Sequence, residues 1–352
     1  MIGDLEYLRW AMERYGLVRL DLASSGIPKV DAAMLGPVAL DDLHAPRAFA
    51  DALAERYGVG SDEVVPALGA SQAIWLACAA VLEPGDDALV ETPTYEPLLR
   101  VPEGLGARVR TFERSAQDGF AVDVAELRAR LTDRTRLVAV SSPHNPSGIP
   151  IAHETLEEIA RACADVGAAL LVDEVYADFA PDPPRTARTA GANVIAVSSL
   201  TKRWGLGWAR AGWLLASPEL IPRVHAAVRH ATGQNGSAHA ALGLAALARL
   251  PALTERADAI VAGGADAVAA WIEREPRLSW TRPPAGPFGF VHVEGAGDLR
   301  PRIETVCAEH GVLVAPGSFF DAPSSFRIGW TATPAALAEG LELLSRHLVA
   351  DQ

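Results

Sequence analysis

Cysteine is scarce in this chain of 352 residues, with only 3 present. Cys78, Cys163 and Cys307 stand far apart in apolar or helical surroundings, without the close pairing of zinc sites or disulfide frameworks. All three are expected to be buried thiols, and no metal centre is expected. Basic charge is also short, at 31 residues against 44 acidic ones and a net charge of −13, which disfavours nucleic acid or an anionic membrane as the main partner. The opening residues Met1-Ile2-Gly3-Asp4-Leu5-Glu6 carry acids where a signal peptide carries bases. No apolar run reaches the roughly 18 residues of a membrane span, and a cytoplasmic location is the expectation. Internal repeats and low-complexity linkers are missing too, and the Pro-rich stretch 180–185 reads as a surface loop. What remains is a chain 49% hydrophobic, long enough to bury one large core and a smaller second one.

The middle of the chain alternates short apolar runs with helical patterns. Asp87 to Glu91, Leu137 to Val140, Ala168 to Val172 and Val194 to Val197 read as strands buried on both faces. Ala125 to Leu131, and Glu154 to Val166 with Leu156, Ile159, Ala160 and Cys163 on one side, read as amphipathic helices covering them. This is the rhythm of an open α/β sheet, mostly parallel and flanked by helices. Beyond about residue 250 the pattern changes to a helix over 252–273, a strand over 289–293, another helix and the stretch Phe326-Arg327-Ile328. The division read from it is a large domain over 35–250 and a smaller α+β domain from 1–34 with 251–352.

Residues able to do chemistry stand where the apolar runs end, which is where ligands sit in such sheets. Lys202 follows Val194–Val197 among small polar groups, Ser198-Ser199-Leu200-Thr201, and is either an anchor for an electrophile or a surface charge. Asp173 emerges from Ala168–Val172, where burial raises a carboxyl pKa unless a cation or donor is near; it suits a protonated ring nitrogen or a helix cap. Tyr176 shares its face if the segment turns helically, and its hydroxyl can donate to a phenolate. Asn145 is held in extended or turn backbone by Pro146, with Gly148 permitting a tight exit, although Asn-Pro-Ser-Gly is also ordinary turn vocabulary. Gly69, Ala70 and Ser71 open a helix whose free amides can cradle phosphate, as many similar helices do not. Arg210, after Gly205 and Gly207, supplies positive charge there or lies on the surface. Arg327 sits between Phe326 and Ile328, a costly place for a guanidinium without a carboxylate. A ligand's α-carboxylate and an internal salt bridge account for it equally.

Together, Pro93-Thr94-Tyr95, Asn145-Pro146-Ser147-Gly148, Asp173-Glu174-Val175-Tyr176, Ser199-Leu200-Thr201-Lys202, Arg210-Ala211-Gly212-Trp213 and Phe326-Arg327-Ile328 resemble the motif series of fold-type I pyridoxal-phosphate enzymes, in particular the class I/II aminotransferases. Order and spacing both agree, with 28 positions from Asn145 to Asp173 and eight from Lys202 to Arg210. The resemblance spans roughly residues 20–345 and implies pyridoxal 5'-phosphate as cofactor. It implies that Lys202 forms the internal aldimine and moves the substrate proton, that Asp173 pairs with the pyridinium nitrogen, and that Asn145 and Tyr176 hydrogen-bond the ring O3′. Tyr95 would stack on the ring; Ala70, Ser71, Ser199 and Arg210 would hold the phosphate. Arg327, with Asn145 and the backbone around Gly26, would hold the substrate carboxylate. A homodimer is implied as well. One departure stands out: many members carry a tyrosine ahead of the helix that begins here near Ala48, reaching the partner's cofactor phosphate. Leu35 to Arg47 contains none, and His44 is the nearby side chain with similar donor ability.

The resulting expectation is an aminotransferase acting on an L-amino acid and a 2-oxo acid. The alternative is a non-transaminating relative with the same motifs, a lyase, cyclase, decarboxylase or amino-acid oxidase. A regulatory module is disfavoured by the lack of a basic N-terminal helix-turn-helix, and a nucleotide enzyme by the lack of both glycine-rich nucleotide signatures. Trp204, Trp208, Arg203, His230 and His239 are scattered candidates for a side-chain pocket, each equally readable as packing or surface.

Overall fold

The computed structural model describes residues 3–180 and 185–350; positions 181–184 of the expected Pro-rich surface loop lie outside the described residues. Seven strands form the main sheet: β1 (Val64–Leu68), β2 (Asp87–Thr92), β3 (Arg108–Glu113), β4 (Thr135–Ser141), β5 (Ala169–Asp173), β6 (Val194–Ser199) and β7 (Ala211–Leu215), in the order β1-β7-β6-β5-β4-β2-β3. Only β7 runs antiparallel to its neighbours; β6, β5, β4, β2 and β3 pair in parallel.

The apolar runs are continuous because each strand feeds two cores. Val138, Val140, Leu170 and Val172 point to one side and pack with Phe49, Leu53, Leu156 and Ile159, while Leu137, Ala139, Leu171 and Ile195 point to the other and pack with Ile74, Ala77, Leu98 and Val224. In helical terms α2 (Ala45–Tyr57), α5 (Val124–Arg130), α6 (His153–Asp165) and α8 (Ser237–Leu247) cover one face, and α3 (Gly69–Val81), α4 (Glu96–Gly104) and α7 (Ile221–Thr232) the other. Such two-sided burial is what a mostly parallel sheet requires.

A third core draws on both ends of the chain. Tyr7, Trp10, Leu20 and Leu22 pack with residues between Val268 and Val349. The N-terminal contribution is helix α1 (Glu6–Arg14) and the strand Leu20–Asp21, which pairs in parallel with Val312–Leu313. A four-stranded antiparallel sheet of Leu278–Trp280, Phe288–Val293, Ala315–Pro316 and Ser325–Gly329 completes it with α10 (Gly264–Arg274), α11 (Arg300–His310) and α12 (Pro334–Leu344).

The single helix expected over 252–273 is two, α9 (Leu250–Val261) and α10. Gly263 breaks it with a left-handed backbone at φ +72°, and a Cβ on Gly264 would lie 2.5 Å from the Trp330 ring. Cys78 and Cys163 are buried, whereas Cys307, expected to be buried as well, is partly exposed on α11. Among the described residues no helix is long and apolar enough to cross a membrane.

At Gly212, strand β7 meets the start of α3 backbone to backbone. A Cβ at Gly212 would stand 2.5 Å from the carbonyl carbon of Gly69 and 2.6 Å from its Cα, and neither atom can swing aside as a side chain would. Gly212→Ala is therefore expected to lower stability by about 1–3 kcal/mol, measured by urea unfolding, with β7 and α3 forced apart.

Candidate active site

The carboxyl ends of the parallel strands converge on a cleft of about 330 Å3. Asp173 is the last residue of β5, Lys202 lies three positions past β6, Asn145 four past β4 and Tyr95 three past β2. Ala70, Ser71, Tyr95, Asn145, Asp173, Tyr176, Ser199, Lys202 and Arg210 all line this cleft. Gly26 lies against Lys202, where a Cβ would meet its Cα and Cδ at 3.2 Å; Arg327 stands just behind the wall, bonded to Asn145.

Lys202 donates from Nζ to Ser25 Oγ at 3.0 Å, and burial lowers its pKa, which favours the neutral, nucleophilic amine. Burial likewise pushes Asp173 up to about 6, opposed by the Val175 amide and by Lys202. The Val175 amide reaches its Oδ1 at 3.0 Å, so Asp173 does cap the turn after β5, yet its carboxylate also faces the cleft and suits a protonated nitrogen. Tyr176 lies at that turn, packs edge-on against Phe288 and donates to Ser25 Oγ at 2.9 Å; burial raises its phenol to about 12, so it is a donor at neutral pH.

Asn145 is fixed by a buried ion pair one layer down. Glu91 on β2 and Arg114 meet at 2.9 Å, both side chains wholly buried. Glu91 also accepts from the Ser141 amide and hydroxyl, each at 2.6 Å, and Ser141 Oγ accepts from the Asn145 amide at 3.1 Å. Arg114 meanwhile reaches the carbonyls of Phe120, Ser141 and Ile149, clamping both ends of the turn. Adjacent His144 is held neutral by burial and by Arg114. Its Nε2 lies 2.7 Å from the Pro93 carbonyl, which can only accept, so Nδ1 takes the Ser147 hydroxyl at 2.7 Å.

Opposite, the start of α3 presents first-turn amides that no intrahelical carbonyl can satisfy. Gly69 makes the turn into the helix at φ +76°, and a Cβ there would collide with the Arg210 guanidinium. Arg210, itself left-handed at φ +50°, spans the carbonyls of Leu68 and Gly207, each at 3.2 Å. It is exposed at the rim, but held over the helix start. Free amides, the Ser71 and Ser199 hydroxyls and this cation form an anion cradle.

Arg327 has no carboxylate partner. Wholly buried, it donates to Asn145 Oδ1 at 2.7 Å, to Tyr7 Oη at 2.7 Å, to Tyr15 Oη at 3.2 Å and to the Ala23 carbonyl at 3.0 Å, and its Nε has no partner. The internal salt bridge is excluded among the described residues, and the uncompensated charge faces a cleft wall of neutral acceptors.

Tyr7, Tyr15 and Ser25 also line the cleft and were not found from the sequence. Composition held one signal, because the chain has 5 tyrosines and Tyr7, Tyr15, Tyr95 and Tyr176 all lie here. Helix α1, which carries Tyr7, is seated by Glu96, whose carboxylate accepts from the amides of Glu6 at 3.0 Å and Tyr7 at 2.8 Å. Tyr95 meets Tyr7 edge-on at 6.1 Å. The five scattered pocket candidates stay off the cleft wall: Arg203 pairs with Asp258, and the indoles of Trp204 and Trp208 bond Thr254 and Val30. His44 is exposed ahead of α2 and makes no capping bond with its side chain.

The family profile described as aminotransferase class I and II matches residues 40–344. The chain is similar to capreomycidine synthase of Streptomyces vinaceus, at 31% identity over 96% of this chain and 92% of that protein. Similarity to arginine–pyruvate transaminase AruH of Pseudomonas aeruginosa is 28% identity over 85% of this chain and 80% of that protein. Among solved structures, a PLP-dependent aminotransferase from Streptococcus suis superposes with a TM-score of 0.90 at 25% identity, covering 100% of this chain and 99% of that one.

The elevated Asp173 carboxyl has a consequence for the protein freed of small molecules. Its folded pKa of about 6 exceeds the ordinary 3.8, so its contribution to stability is full below about pH 4 and is lost as pH rises through about 6. Asp173→Asn is expected to be more stable than the parent at pH 8 by on the order of 2 kcal/mol, with the gap closing below pH 4, as read from urea unfolding across pH.

Proposed function

The chain belongs to the class I and II aminotransferase family, with pyridoxal 5'-phosphate as its cofactor, and within that family we propose that it moves an amino group between an L-amino acid and a 2-oxo acid. The observation that carries the amino-acid substrate in this reading is Arg327, a buried guanidinium without a counter-charge beside the cleft; the transfer itself is supported by the family and by the similarity to arginine–pyruvate transaminase. An α-carboxylate supplies what it lacks, at hydrogen-bond strength increased by charge on both partners.

The residues present fit the cofactor on chemical grounds. Asp173, a buried carboxylate with a single amide donor, suits a pyridinium N–H. The oxygen of Asn145 is taken by Arg327, which leaves its amide nitrogen to donate toward a phenolate, together with the Tyr176 hydroxyl. The amides of Ala70 and Ser71, the Ser199 hydroxyl and Arg210 suit a phosphate, and Tyr95 offers a ring face. When bound, pyridoxal 5'-phosphate supplies an aldehyde that condenses with amines and a ring that withdraws electrons from the substrate Cα.

The chain's own part is positioning and proton transfer. Arg327, Asn145 and the backbone at Gly26 would orient the substrate carboxylate, fixing which Cα bond faces Lys202. Lys202, kept toward the neutral amine by burial, would take the proton from Cα as a base and later give it back as an acid. Asp173 would keep the ring nitrogen protonated, its negative charge being stabilised by that cation. Tyr7 and Tyr15, with α1 behind them, would exclude water from the reacting atoms. We further propose the two-domain division, 35–250 and 1–34 with 251–352, and a homodimer.

A second reading, a non-transaminating enzyme such as a cyclase, is favoured by the likeness to the solved PLP-dependent cyclase OrfR, with a TM-score of 0.86 at 26% identity over 98% of this chain and 97% of that one, and by the similarity to a synthase over nearly the whole chain. One experiment separates them: the purified, cofactor-loaded protein is mixed with a panel of L-amino acids and its visible absorbance followed. Conversion of the cofactor to its amine form, reversed by a 2-oxo acid, is the expected outcome; product formation without that conversion supports the second reading. Lys202→Ala is expected to lose both turnover and the imine absorbance. Arg327→Gln is expected to raise KM for the amino acid at least about 100-fold while leaving the cofactor spectrum in place.

A further inference from the structure

We propose that Ser25 is a positioning residue that holds the amine of Lys202 whenever that amine is free, and that its Oγ stabilises the positive charge Lys202 gains on taking a proton. The inference rests on the assignment of Lys202 as the base at the substrate Cα.

Ser25 is buried, at 2% exposure, and Oγ accepts from Lys202 Nζ at 3.0 Å and from Tyr176 Oη at 2.9 Å. A serine hydroxyl carries two acceptor lone pairs, so Oγ can accept from Lys202 whether Tyr176 donates to it, as here, or turns to a bound phenolate. Among the described residues it is the hydrogen-bond partner of that amine. The segment carrying it is pinned on both sides. Upstream, Asp21 accepts from the Ala23 and Ser24 amides at 3.0 and 2.9 Å; downstream, the Ile27 amide donates to the Lys202 carbonyl at 2.8 Å. Gly26 permits this approach, because a Cβ would meet Lys202 at 3.2 Å. The backbone at Ser25 is therefore held within reach of Nζ.

When Lys202 takes the proton, the Cα–H bond breaks, its electron pair stays with carbon, and the new N–H bond leaves an ammonium. The other charges around it partly cancel, with Asp173 attracting and Arg327 and Arg210 repelling, while the Tyr176 phenol, raised to about 12, carries no charge at neutral pH. A directed acceptor at 3.0 Å favours the ammonium over the amine, and losing it lowers the lysine's proton affinity.

The test starts in cofactor-free protein, where only two lysines, Lys29 and Lys202, are present. The pH dependence of reductive methylation, read by peptide mass spectrometry, gives the Lys202 midpoint, with Lys29 as internal control. Ser25→Ala is expected to lower that midpoint by about one pH unit and leave Lys29 unmoved, while Ser25→Thr, which retains the hydroxyl, stays near the parent. In loaded enzyme, Ser25→Ala is expected to reduce kcat about tenfold and to enlarge the isotope effect from Cα-deuterated substrate, with Ser25→Thr restoring both. An unchanged Lys202 midpoint in Ser25→Ala overturns the proposal, as does a Ser25→Thr protein indistinguishable from Ser25→Ala. If the midpoint moves but no amino acid converts the cofactor to its amine form, the functional reading fails and the hold of Ser25 on the amine stands.

Discussion

A guanidinium sealed from water without a carboxylate is the constraint around which this molecule is arranged. Desolvating an isolated charge costs far more than any single hydrogen bond returns, and Arg327 meets that cost with four neutral acceptors drawn from distant parts of the chain. It belongs to the smaller sheet, yet its nitrogens reach Asn145 at the rim of the larger sheet, Tyr7 on the N-terminal helix, Tyr15 just beyond that helix, and the backbone at Ala23. One side chain thereby ties the two sheets and the N-terminal segment to the same point. Phenol and amide oxygens offset the charge only in part, and the cleft keeps an unsatisfied preference for an anion.

The rest of the site follows the same economy of buried charge. Glu91 and Arg114 neutralise each other out of water, and a pair of this kind contributes little net stability against a hydrophobic replacement. Its spare hydrogen-bonding capacity goes to Ser141 and to the carbonyls flanking the Asn145 turn. Asp173 and Lys202 are shifted in opposite directions by one cause, burial, each toward its neutral form. A cleft with both groups poised this way favours proton movement over fixed ion pairing.

Much of this was legible in the sequence, and the omissions have physical reasons. Strands β4, β5 and β6 showed as continuous apolar runs because both faces are covered. The edge strand β3, largely exposed and interrupted by Arg108, Arg110, Thr111 and Glu113, gives no such signal, and β7 is hidden behind the Arg210 turn. The residues that line the cleft are legible partly by their position at strand ends and partly through the motif series they resemble. Ser25 reaches Lys202 across 177 positions and Tyr7 reaches Arg327 across 320; neither comes from a periodic segment, and only the folded chain brings them together. The break at Gly263 was missed because its neighbours, Val261 to Ala265, are small or apolar and continue the helical pattern through it.

The gathering of four of the five tyrosines in one cleft has an optical consequence. Tyr57, the fifth, packs partly buried against Trp213, away from the cleft, so it contributes a background that cleft occupancy does not change. Signals from phenol environments, whether ultraviolet difference bands or ring resonances, report on this cleft with little interference from the rest of the molecule, and occupancy can be followed through residues the protein already carries.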